Sequence, residues 1–222
     1  LGVTPNGYAE PDYLGWEVKQ FGVRDFLSFK AKSPVTLMTP EPTGGIYRTE
    51  GVDAFMRRFG YPDQSGKADR INFGGRYDCQ RKHHLLTGLR MTLSGYDEIT
   101  GKITDLDGEL ILISDRDEVA ATWSFKGMMA HWNRKHAQAA YVPSLFRTPP
   151  PEYCYGPQVL LCEETDFLMF LQAFARGQVY YDPAIKLVNA SSTAPELKRR
   201  SQFRVSHNDL TGLYRRSEKV SL

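Results

Sequence analysis

Between residues 12 and 21, Leu14, Trp16 and Val18 alternate with Gly15, Glu17 and Lys19. This period of two marks a strand with one buried face. Such a strand puts Glu17 and Lys19 on one side, about 7 Å apart, with Asp12 at its entry, from where a carboxylate closes on Glu17. Two carboxylates so placed offer hard oxygen ligands to one divalent cation, and Mg²⁺ suits them. Lys19 beside that cation positions or deprotonates an attacking water and stabilises charge on a phosphate. The same residues also fit a solvated strand face on which Glu17 and Lys19 balance each other across a pleat. Spacing alone leaves both readings open.

The remaining pattern predicts an α/β chain. Val52, Phe55, Met56 and Phe59 fall at helical spacing within residues 51–59. Residues 61–82 carry Gly74, Gly75, Arg76, Arg81 and Lys82 without a clear period and are expected to form one long loop. Leu89, Met91 and Leu93 alternate with polar neighbours, and Asp107-Gly108 is expected to close a hairpin between residues 103–106 and 109–114, giving an antiparallel meander. Trp123, Met128, Trp132 and Ala139 predict a helix over about 119–140. A strand near 158–162 follows, then a helix over 166–176 capped by Thr165 and stopped by Gly177, then a short strand at 179–181. No internal repeat occurs, so one domain over residues 1–222 is the simplest organisation.

Composition excludes several classes. Hydrophobic residues make up 41% and charged residues 24%, values of an ordinary folded protein. A net charge of +2 does not by itself announce a polyanion partner, so a nucleic-acid reading must rest on where the charges sit. Cys79, Cys154 and Cys162 form no CxxC pair and no zinc spacing, so a reduced, cytoplasmic protein is expected. The longest apolar runs are far shorter than the roughly 20 residues that span a bilayer, and no membrane partner is expected. The first residue is Leu1, and an N-terminal segment is expected to be missing.

One basic segment stands out. Lys198, Arg199 and Arg200 lead to Gln202, Arg204 and His207, and in an extended segment Arg200, Gln202 and Arg204 share a face from which they reach guanine edges and phosphates. A solvated basic tail is the competing reading. Arg81, Lys82, His83 and His84 are a second cationic cluster, one that would approach a DNA backbone without specificity. His131 and His136 are five apart and do not share a helix face, which argues against a metal pair, and Trp132 and Lys135 are assigned to packing and a solvated rim. Gly44-Gly45 and Gly74-Gly75 lack a following Lys-Ser/Thr and read as turns.

The run Glu10-Pro11-Asp12-Tyr13-Leu14-Gly15-Trp16-Glu17-Val18-Lys19-Gln20 resembles the active-site hairpin of PD-(D/E)xK nucleases, specifically of the MvaI/BcnI restriction endonuclease family, related to the mismatch-repair nickase MutH. Thr36-Leu37-Met38-Thr39-Pro40-Glu41-Pro42 and Phe59-Gly60-Tyr61-Pro62-Asp63 are similar to that family as well. The resemblance implies a mixed sheet flanked by helices. It implies Asp12 and Glu17 as metal ligands with the Val18 carbonyl as a further one, Lys19 as the catalytic lysine, and Mg²⁺ as cofactor. It also implies basic and histidine residues in the DNA grooves, a role carried here to Arg204 and His207, and a short GC-flanked target of the CCNGG kind. The resemblance also implies a further glutamate from an earlier helix, and no such helix is expected within residues 1–11, in keeping with the expected missing segment.

The expected function is therefore a Mg²⁺-dependent, sequence-specific endonuclease acting on double-stranded DNA as a monomer. Two alternatives stand beside it: a DNA-binding module that does not cleave or depends on a partner, and a MutH-like strand-specific repair nickase.

Overall fold

The alternation at residues 12–21 becomes a turn followed by a strand. In the structure, a computed structural model that describes residues 11–221, the strand spans Glu17–Gly22 and the residues ahead of it form a tight reversal. Tyr13 and Trp16 exchange backbone hydrogen bonds of 3.0 and 2.8 Å. The two residues between them, Leu14 at φ 46° and Gly15 at φ 84°, both take the left-handed conformation that a two-residue hairpin loop demands. Leu14, expected on the buried face, is consequently exposed at the tip.

The described chain divides into two compact units. One takes in residues up to Val35, Met129–Phe170 and the chain from Val205 onward; the other takes in Thr36–Met128 and Leu171–Arg204.

The first unit is built on a mixed sheet. Glu17–Gly22 runs parallel to Gln138–Arg147, with Glu17 opposite Ala139 and Lys19 opposite Tyr141. Gln138–Arg147 then pairs antiparallel with Gln158–Glu163 and with Glu152–Tyr155, and Gln158–Glu163 pairs antiparallel with Arg216–Ser221. Helix Phe125–His136 leads straight into the second strand. Its Trp132 and His136, one turn apart, are fully buried and stack with ring centroids 4.0 Å apart. Burying an apolar side chain of this size stabilises by about 1.5–3 kcal/mol, enough to fix the helix against the sheet.

In the second unit Leu89–Ser94, Glu109–Ser114 and Val119–Ser124 form an antiparallel sheet, of which only residues 89–94 and 109–114 are strands expected of the meander. Its core is aromatic: Trp123 lies edge-on to Tyr181 and Phe203, and Phe73 stacks on Tyr77. Helix Val52–Phe59 buries Phe55, Met56 and Phe59 as its spacing predicts.

Four expectations are corrected. The helical pattern over 119–140 is strand, helix and strand, because Val119–Ser124 is buried on both faces and so shows no period of two. The stretch 61–82 is not one loop: Tyr61–Pro62 and Arg70–Gly74 pair as strands. Asp107-Gly108 closes no hairpin between 103–106 and 109–114, since Glu109–Ser114 pairs back to Leu89–Ser94 and Lys102–Ile103 pairs with Tyr96–Asp97. The helix Phe167–Ala175 is capped by Asp166, whose Oδ1 accepts from the Met169 N–H at 2.8 Å, while Thr165 donates to the Leu213 carbonyl. Gly177, at φ 70°, ends that helix as expected. Among the described residues no helix is long and apolar enough to cross a membrane.

Candidate active site

The reversal at Leu14-Gly15 folds Asp12 back onto the strand, where its Oδ2 accepts a 2.9 Å hydrogen bond from the Val18 N–H. This bond brings the Asp12 carboxylate beside the residue that follows Glu17. Glu17 itself is only 4% exposed, which contradicts a solvated strand face. Lys19 Nζ donates to Glu17 Oε1 at 3.0 Å, as expected of neighbours on one pleat. Burial pushes the Lys19 pKa below the ordinary lysine value; Glu17 opposes that shift and the nearby Lys135 adds to it.

Lys135 is the residue that sequence reasoning missed. Assigned to a solvated rim, it donates instead to both carboxylate oxygens of Glu17, at 3.1 and 3.2 Å, and its side chain is 18% exposed. The register explains this: Glu17 lies opposite Ala139, and the helix that ends at His136 sets its last turn beside the start of the Glu17 strand. His131, one turn earlier, shares the surroundings of Lys135, Lys19 and Glu17. Burial, then those lysines and Arg134, push its pKa down, favouring the neutral imidazole. His136 belongs to packing and bonds Tyr214 through Nδ1 at 2.8 Å.

The site's donors are hard oxygens. Among the described residues no three His, Cys, Asp or Glu side chains converge as a metal cluster; the carboxylates of this hairpin are Asp12, bonded to the Val18 N–H, and Glu17. The donor chemistry fits a hard divalent cation, and the two ammonium groups against Glu17 already place positive charge at that carboxylate.

The residues proposed to read DNA are dispersed. Lys198 ends strand Glu196–Lys198 and pairs with Glu196 at 3.2 Å; Arg199 lies 3.9 Å from Glu41; Arg200 is exposed. The segment is not one continuous strand, since Phe203–Val205 forms separately, with Phe203 and Val205 buried and Arg204 donating to Asp182 at 2.7 Å. His207 lies in the first unit, its ring 5.1 Å from Phe21 and 6.1 Å from Phe29.

A family model describing the MvaI/BcnI restriction endonuclease family matches residues 1–214. The chain belongs to that family. Membership implies a DNA nuclease. Among solved structures the restriction endonuclease MvaI in complex with its cognate DNA substrate is similar, at 15% identity over 98% of this chain and 82% of that one, with a TM-score of 0.69. MvaI in the absence of DNA is similar at 16% identity over 95% and 80%, with a TM-score of 0.59. These likenesses establish the restriction-endonuclease fold expected from residues 10–20. No curated protein matches the chain by sequence.

Proposed function

We propose that this MvaI/BcnI-family chain is a Mg²⁺-dependent, sequence-specific endonuclease that hydrolyses phosphodiester bonds in double-stranded DNA. The observation that carries the reading is the meeting of Asp12, Glu17 and Lys19 on one hairpin with Glu17 buried. Burying a carboxylate among lysines costs desolvation that a merely solvated strand has no reason to incur. That the similar MvaI chain holds a cognate DNA substrate supports duplex DNA as the partner.

Asp12, Glu17 and the Val18 carbonyl are the groups that would hold Mg²⁺, which when bound acidifies a water and screens phosphate charge. Lys19, which donates to Glu17 at 3.0 Å, would donate to a non-bridging oxygen of the scissile phosphate or orient the attacking water. Its depressed pKa eases proton exchange with that water. Lys135 holds both oxygens of Glu17 and would yield them to the ion. In-line attack leaves 5′-phosphate and 3′-hydroxyl ends. The chain acts as a monomer, cutting one strand and then the other.

Supercoiled plasmid incubated with Mg²⁺ tests this. Discrete fragments preceded by nicked circles are expected; duplex binding in Ca²⁺ with no nicking in Mg²⁺ would instead make the chain a non-cleaving module, and cutting confined to one strand would make it a nickase.

A further inference from the structure

A basic loop in the second unit takes no part in the active site. Its ends are fastened. Tyr77 exchanges two 2.9 Å backbone hydrogen bonds with Tyr181, its hydroxyl meets Thr87 Oγ1 at 3.1 Å, and the His84 N–H donates to the Leu89 carbonyl at 2.8 Å.

Its centre is organised on one buried carboxylate. Asp78 accepts from Arg76 Nε at 2.9 Å and from the backbone N–H groups of Gln80 and Arg81 at 3.1 and 2.9 Å, and Arg81 Nε lies 3.2 Å away. Arg76 is fixed further by a 2.7 Å bond to the Gly177 carbonyl and by the Tyr180 ring 4.0 Å from its guanidinium. The outer rim is different. Arg81 and Lys82 are exposed, Leu85 is fully exposed, and with Arg76 they line an open cavity of about 420 Å³.

A solvated basic loop needs no buried carboxylate to hold two guanidinium groups in place. Pre-organised cations around an apolar tip match the alternation of phosphates and apolar sugar faces along a nucleic-acid backbone. We propose that this loop is a docking site for the backbone of the DNA duplex, with Arg81 and Lys82 on phosphates, Leu85 against the sugars, and Asp78 positioning the arginines. The proposal rests on the endonuclease reading and adds to it a contact surface remote in sequence from residues 12–19.

The test measures binding of the whole chain to a fluorescent mixed-sequence duplex in Ca²⁺ at several salt concentrations. Arg81→Ala and Lys82→Ala should each weaken binding severalfold and flatten the slope of log affinity against log salt by about one unit. Leu85→Ser should weaken binding at unchanged slope. Lys82 and Leu85 are exposed, so their variants report on contact and not on folding. Unchanged affinity and slope in both, with the wild-type chain binding and cutting DNA, overturns the loop assignment and leaves the nuclease reading intact. A wild-type chain that neither binds nor cuts DNA overturns both. Loss of binding to phosphatidylserine vesicles with duplex affinity intact would assign the loop to a membrane surface and overturn the proposal.

Discussion

Lys135 reaches Glu17 across 118 positions of sequence and hydrogen-bonds both of its carboxylate oxygens, at 3.1 and 3.2 Å. The same oxygens are the ones a divalent cation would use, so the ammonium group and the ion are alternatives for one carboxylate.

Lys135→Met should therefore move a Ca²⁺ or Mn²⁺ titration of the protein to lower metal concentration. It should also lower stability by about 1–3 kcal/mol, since a buried carboxylate loses one of its two cationic partners. Titration calorimetry and chemical denaturation read these separately. Weaker metal binding in the variant would show that Lys135 supports the ion and does not compete with it.

Asp12→Asn separates charge from architecture. The amide oxygen still accepts from the Val18 N–H, so the Leu14-Gly15 reversal should persist. The loss of one charged ligand should raise the Mg²⁺ concentration needed for cleavage and lower the rate at saturating metal. An unchanged Mg²⁺ titration would place the metal elsewhere.

Three histidines give the protein a direction in pH. Burial lowers the pKa of His84, His131 and His207, with Lys135, Arg134 and Lys19 adding to the shift at His131, and Lys219 and Lys30 adding to it at His207. A histidine whose folded pKa lies below its unfolded value takes up its proton first in the unfolded chain. Its contribution to stability is therefore complete above the unfolded value of about 6.5 and is lost as pH falls through that value toward the folded one. Thermal unfolding should show a midpoint that drops between about pH 7.5 and 5.5. His207→Phe, a ring that keeps the contacts to Phe21 and Phe29, should flatten that drop. An equally steep drop in the variant would mean that His207 is solvated in the native state.

Much of the site could be read locally. Asp12, Glu17 and Lys19 are joined by one tight reversal and one strand, so short spacing carries their geometry, and the same holds for helix Val52–Phe59. Lys135 was out of reach because a lysine in the last turn of a helix looks the same whether it meets solvent or a carboxylate. Only the parallel pairing of Glu17 with Ala139 decides between them. Asp182, the partner of Arg204, lies 22 residues away and was hidden for the same reason. The stretch over 119–140 reads as one helix from its sequence because a strand buried on both faces offers no alternation to set against the helical spacing of Met128 and Trp132.

The central claim is that Lys19 acts on a scissile DNA phosphate. Digestion of supercoiled plasmid by wild type and Lys19→Ala, with Mg²⁺ and with EDTA, followed by sequencing of the ends, tests it most directly. The account predicts Mg²⁺-dependent fragments with 5′-phosphates at one recurring sequence for wild type. It predicts no cleavage by Lys19→Ala, whose duplex affinity in Ca²⁺ stays within about tenfold of wild type because one lysine contributes little to the whole interface. Cleavage by Lys19→Ala at the wild-type rate would contradict the account.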